Sequence, residues 1–182
     1  MQNVETVQKP LDMTLTPDIV ESAMLSNAAP ASSSSPAEGS LEGARVLICE
    51  DEALTQMQLQ RILKTNQMNI VGIGRNGEIG VALALLESPD LILMDINMPA
   101  LDGLEASRMI LENQQACIVI VSAYLDEERL QKARDIGISG WILKPVTSYT
   151  LLPRLTEAWN RYIHRKNGAQ GNEPLLTLSD II

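Results

Sequence analysis

The chain has 182 residues, 45% of them hydrophobic, and a formal net charge of −9. That length holds one well-packed domain plus extensions, and the acidic balance argues against a nucleic-acid partner while suiting a bound cation. No run of about 18 apolar residues offers a membrane span, and MQNVETVQKPLDM lacks both the basic start and the apolar stretch of a signal peptide, so a cytoplasmic protein with no membrane partner is expected.

Residues 1–25 are mixed, and Pro17 to Leu25 offers two helical turns, too few to be stable alone. SNAAPASSSSPAEGS over 26–40 cannot bury enough to offset its ordering entropy. Residues 1–43 therefore read as a flexible N-terminal arm and linker, and the globular part, 44–166, begins near Ala44. From there strand and helix alternate five times. Arg45 to Cys49 is an apolar strand ending in Glu50-Asp51-Glu52, and a helix follows over 53–66 with Leu59, Ile62 and Leu63 on one face. Asn69 to Ile73 is a second strand, and 78–87 a helix with Ile79, Ala82, Leu83 and Leu86 along one stripe, closed by Pro89. Leu91 to Asp95 is a short apolar run without alternation, which suits a strand buried on both faces. Pro99 and the Leu101-Asp102-Gly103 turn break the chain before a helix over 103–112. Cys117 to Val121 is a strand ending at Ser122, followed by a helix over 126–136 capped by Gly137. Gly140 to Leu143 is the fifth strand, ending at Lys144-Pro145. A last helix runs over 148–165 with Leu151, Leu155, Ala158, Trp159 and Tyr162 as its apolar stripe, and Pro153 is placed to bend it or delay its start. Cys49 and Cys117 sit in apolar runs and read as buried thiols. With aromatics at 3% and no Phe, the core must be built from aliphatic residues and Met.

Strict alternation with short connections implies α/β architecture, a doubly wound five-stranded parallel sheet of flavodoxin type with helices on both faces. The right-handed crossover rule brings every strand's carboxyl end to one edge. Glu50, Asp51, Asp95, Ser122 and Lys144 meet there. On its own stretch Asp95 is either a nucleophile or metal ligand, or a helix-initiating residue. Three clustered carboxylates repel one another, and a hard divalent cation such as Mg²⁺ relieves that repulsion with oxygen ligands. Adding the lysine and the hydroxyl gives a set that fits a phosphoryl group, with Asp95 as its covalent acceptor.

Glu50-Asp51-Glu52, MDINMPALDG around Asp95, VSAY around Ser122 and WILKP around Lys144, in that order and spacing, resemble the receiver domain of two-component response regulators. The resemblance covers Ala44 to Arg165. It implies a phosphoryl group passing from a histidine kinase or histidine phosphotransfer protein to Asp95, with Glu50, Asp51, Asp95 and the backbone carbonyl of Asn97 holding Mg²⁺. It implies that Ser122 and Lys144 bind the new phosphoryl group, that Pro145 follows a cis peptide bond, and that the signal leaves through contacts with an effector protein or a phosphorylation-dependent homodimer. Two departures stand out. Trp141 occupies the position where the family commonly has a Tyr or Phe that swings inward; indole is larger and its N–H only donates, which predicts a smaller swing or none. Glu50 is one methylene longer than the commoner Asp. VGIGRNGEIG, SAYLDEERLQKARDIG and TLLPRLTEAW further resemble receivers fused to antiterminator RNA-binding helices. The tail, 167–182, is too short for such a module, so the chain reads as a stand-alone receiver with no output domain.

Rival readings carry specific objections. Gly72-Ile73-Gly74-Arg75-Asn76-Gly77 matches a dinucleotide fingerprint, but a complete acid-tipped unit precedes it and no substrate domain follows, so it reads as a glycine loop leading to the second helix. An aspartate-nucleophile phosphatase of the haloacid-dehalogenase type needs a general acid two residues after Asp95, where Asn97 stands. The chain is therefore expected not to be an enzyme, beyond slow loss of its own phosphate, with Tyr124 shielding Asp95 from water. A degenerate receiver serving as a phosphorylation-independent interaction module is disfavoured because every charged position is filled. His164, the only histidine, reads as a favourable charge at a helix C-terminus.

Overall fold

In a computed structural model, residues 39–168 and Pro36 are described. The arm before them and the tail from 169 onward, including the possible turns at Pro17 to Leu25, lie outside the described residues. The element order is β1 (Arg45–Cys49), α1 (Ala53–Thr65), β2 (Asn69–Gly74), α2 (Gly77–Glu87), β3 (Leu91–Met94), α3 (Gly103–Asn113), β4 (Cys117–Ser122), α4 (Glu127–Ile136), β5 (Gly140–Leu143) and α5 (Ser148–Lys166). The strands pair in parallel in the order β2-β1-β3-β4-β5. The order reverses between β1 and β3, and open α/β sheets place their ligands at such a switch point.

Alternation of side chains across the sheet divides the core in two. Val46, Ile48, Leu91, Leu93, Val119 and Val121 face α1 and α5, where Leu59, Leu63, Leu151, Leu155 and Trp159 cover them. Leu47, Cys49, Ile92, Met94, Ile118 and Ile120 face α2, α3 and α4. Both cysteines are free and buried, and burial pushes each thiol up to about 12.

Several expectations need correction. Leu41 packs into the α1/α5 core and is 7% exposed, while the Gly39 amide donates to Asn160 Oδ1 at 2.8 Å and the Gly43 amide to the Gln67 carbonyl at 2.8 Å. The ordered domain thus begins before Ala44, because a leucine two residues beyond a glycine turn can still reach the core. Helix α2 does not bury a single stripe. Residues 79 to 84 are all buried, and Leu86 is 57% exposed. The helix lies between the sheet and α3, so almost its whole circumference is covered. Gly72 and Gly74 belong to β2 rather than to a loop. A Cβ on Gly74 would lie 2.9 Å from the Gly80 amide nitrogen, so these glycines let α2 sit close on its strand. Pro153 lies inside α5 and does not delay its start: Thr147 and Thr150 cap the helix reciprocally, side chain to backbone amide, at Ser148.

Candidate functional site

Strand register builds the site. Cys49 pairs with Met94, so Glu50 and Asp95 leave adjacent strands at one level, and the Asp95 amide donates to the Cys49 carbonyl at 2.8 Å. Ser122 pairs with Leu143, which puts Lys144 one step beyond, its amide on the Ser122 carbonyl at 2.8 Å. The Lys144–Pro145 peptide is cis. Asp95 itself falls just past β3, and the loop it starts is folded back tightly: the Gly103 amide donates to the Ile96 carbonyl at 3.0 Å, and Asp102 caps α3 through the Leu104 and Glu105 amides.

Three side chains meet directly. Lys144 Nζ lies 2.8 Å from Glu50 Oε2 and 3.0 Å from Asp95 Oδ2. Glu50 and Asp95 are 1% and 5% exposed, whereas Asp51 is exposed. One carboxylate oxygen from each of Glu50, Asp51 and Asp95 lies within 4.8 Å of the others. Burial pushes the Glu50 carboxyl above its ordinary range; the Lys144 ammonium opposes this and the Asp95 charge adds to it. Burial works against the Lys144 ammonium, but its contacts with both acids outweigh that and hold it above the ordinary lysine range. A half-open acidic pocket with one fixed cation on its inner side results.

The other expected residues stand around this trio. Asn97 is exposed, and its amide donates to Asp95 Oδ1 at 3.4 Å. Ser122 is fully buried, and its Oγ accepts the Tyr124 amide at 3.3 Å. Tyr124 is 66% exposed. Trp141 takes no part in these contacts. It lies in the core with Leu130 and Ala133 of α4, 1% exposed, and its indole N–H has no hydrogen-bond partner among the described residues. The ring is inside in this state.

Sequence reasoning missed Gln56. The apolar face of α1 starts at Leu59 in the sequence pattern, yet Thr55 and Gln56 are each 6% exposed, and the Gln56 side-chain amide donates to the Glu50 carbonyl. Extending the stripe back one turn from Leu59 lands on both residues, and two polar side chains there signal a bonded role rather than packing.

The oxygen donors at Glu50, Asp51 and Asp95 are of the hard type that divalent cations such as Mg²⁺ take. Asp95 offers an oxygen with only a long amide contact, beside a fixed ammonium. The arrangement can bind an oxyanion electrophile and form a bond to it.

A family model described as response regulator receiver domain matches residues 46–156. The transcriptional regulatory protein PdtaR of Mycobacterium tuberculosis is 38% identical over 118 residues, covering 65% of this chain and 58% of that protein. A protein-glutamate methylesterase/protein-glutamine glutaminase of Carboxydothermus hydrogenoformans is 36% identical over 104 residues, 56% of this chain and 29% of that protein. A chain of the CheX–CheY–BeF3–Mg²⁺ complex from Borrelia burgdorferi superposes with a TM-score of 0.62 at 27% identity, covering 64% of this chain and 89% of that one. The chain thus spans little more than half the length of the mycobacterial relative.

Proposed function

The chain belongs to the response regulator receivers of two-component signalling, a phosphoacceptor family, and from that premise we propose that Asp95 accepts the phosphoryl group. The observation that carries this is the position of Lys144, whose Nζ holds Asp95 Oδ2 at 3.0 Å from within the pocket. Oδ1, with its weaker amide contact, is the oxygen that bonds to phosphorus, while the bond from phosphorus to the donor's imidazole nitrogen breaks and that nitrogen keeps the electron pair. Lys144 then balances charge on the phosphoryl oxygens, and the Ser122 hydroxyl is the nearby neutral donor to them. Glu50, Asp51, Asp95 and the main-chain carbonyl of Asn97 are the ligands we assign to Mg²⁺, which when bound supplies further charge neutralisation.

A receiver of this kind is a signalling phosphoacceptor, although some relatives, such as the methylesterase above, carry an enzymatic activity. We assign no turnover of external substrates here. The phosphoryl donor is a histidine kinase or histidine phosphotransfer protein, and the output is a change in protein contacts, with a homodimer as one form of it. No described helix is long and apolar enough to cross a membrane, and a cytoplasmic site of action accords with these partners. We take residues 44–166, together with the anchored stretch from Gly39, as the receiver. Trp141 is the candidate relay to α4, since it shares one buried cluster with Leu130 and Ala133 of that helix.

Incubation with acetyl phosphate and Mg²⁺ tests the reading by intact mass. Wild type is expected to gain one phosphoryl group only with Mg²⁺ present, and Asp95→Asn to gain none. Equal gain in the variant, or gain in excess chelator, overturns it. Tyr124 is exposed beside Ser122, so Tyr124→Ala is expected to shorten the lifetime of the phosphorylated form after donor removal. An unchanged decay curve removes that role.

A further inference from the structure

Resting on the metal assignment above, we infer that Gln56 is a positioning residue for the acidic turn, and that its amide sets the geometry of Asp51. Glu50 is the last residue before that turn, and each of its polar atoms is engaged. Its amide donates to the Gly74 carbonyl at 2.9 Å, its Oε1 accepts the Glu52 amide at 3.1 Å, and its Oε2 lies 2.8 Å from Lys144 Nζ. The remaining atom is the main-chain carbonyl, one residue past the end of β1. Gln56, reaching back from α1, donates its side-chain N–H there.

The consequence falls on the next residue. The Glu50 carbonyl and the Asp51 amide share one rigid peptide plane, so fixing that carbonyl fixes where the Asp51 Cα sits and leaves only rotation about its N–Cα and side-chain bonds to orient the carboxylate. Asp51 is the exposed member of the carboxylate trio, and no packing holds it. Glu52, the N-cap of α1, bonds no amide of that helix with its side chain; its carboxylate instead accepts the Thr55 hydroxyl at 2.7 Å. Gln56 is thus the link between helix α1 and the peptide that aims Asp51. A buried amide is costly to desolvate unless bonded, and a purely packing position would take a Met of similar length.

The test is Gln56→Met, which keeps length and burial and removes the donor, measured in the full chain by Mg²⁺ titration calorimetry alongside thermal unfolding. Outer-shell partners commonly contribute about tenfold to metal affinity, and a loss of about that size is expected, together with slower phosphorylation by acetyl phosphate at low Mg²⁺ that saturating Mg²⁺ restores. A Gln56→Met protein that melts earlier but binds Mg²⁺ with wild-type affinity overturns the inference and leaves the metal assignment standing. Absence of Mg²⁺ binding in wild type overturns both.

Discussion

Lys144→Met is expected to destabilise the protein by about 2–3 kcal/mol near pH 8 and by clearly less near pH 5. Among the described residues the lysine is the one cation paired with the two buried acids, Glu50 and Asp95. Exposed ion pairs contribute at most about 1 kcal/mol, but removing one member of a buried set strands the others. In wild type the raised Lys144 pKa means its contribution is complete below the ordinary lysine value and is lost as pH rises through the higher folded one. Glu50 has the opposite sign. Its carboxyl is raised by burial, so the folded state takes up a proton as pH falls through that raised value, and the penalty for burying the charge is relieved. Without Lys144 the Glu50 carboxyl climbs further, so falling pH relieves the stranded charge sooner, which is why the loss shrinks in acid. Urea unfolding of both proteins at the two pH values reads this directly. A loss of the same size at both, or none at pH 8, means that Lys144 does not hold the acids together.

Gly103→Ala is expected to cost about 3 kcal/mol and to slow phosphorylation about a hundredfold. A Cβ on Gly103 would sit 1.9 Å from the Asp95 carbonyl oxygen, 2.8 Å from its carbonyl carbon and 3.0 Å from Ile96 Cα. All three are backbone atoms, so no rotamer change makes room. Either α3 moves outward, losing the Gly103 amide bond to the Ile96 carbonyl, or the residue bearing the acceptor moves. The first loses packing and the second misplaces the reacting oxygen. Unfolding and acetyl phosphate kinetics on the same preparation check both halves, and wild-type values in each would show that the loop yields freely.

Strand positions were legible because their residues are continuous apolar runs between turn signals: Arg45–Cys49 and Gly140–Leu143 stand as the sequence predicts. The site was legible because a parallel sheet brings strand ends to one edge, which gathers Glu50, Asp95 and Lys144 from positions far apart in the chain. Other features depend on neighbours that local pattern does not describe. The near-complete burial of α2 follows from α3 lying against it, and Leu41 enters the core by way of a turn in a stretch whose composition reads as linker. Gln56 was obscured because a polar residue near a helix start looks solvated until the strand-end carbonyl it bonds is in view. Trp141 shows the reverse case. Its apolar bulk suited the core, yet only the fold puts it in one cluster with Leu130 and Ala133 of α4.

The most direct test of the account is where the phosphoryl group resides. Protein phosphorylated with acetyl phosphate and Mg²⁺ would be reduced with borohydride, which converts an aspartyl phosphate to homoserine, and then digested and mapped by mass spectrometry. Homoserine at position 95 alone, in the peptide carrying Asn97, is the predicted result. Reduction at Asp51, or an unmodified residue 95 in protein that has gained phosphate, would contradict it.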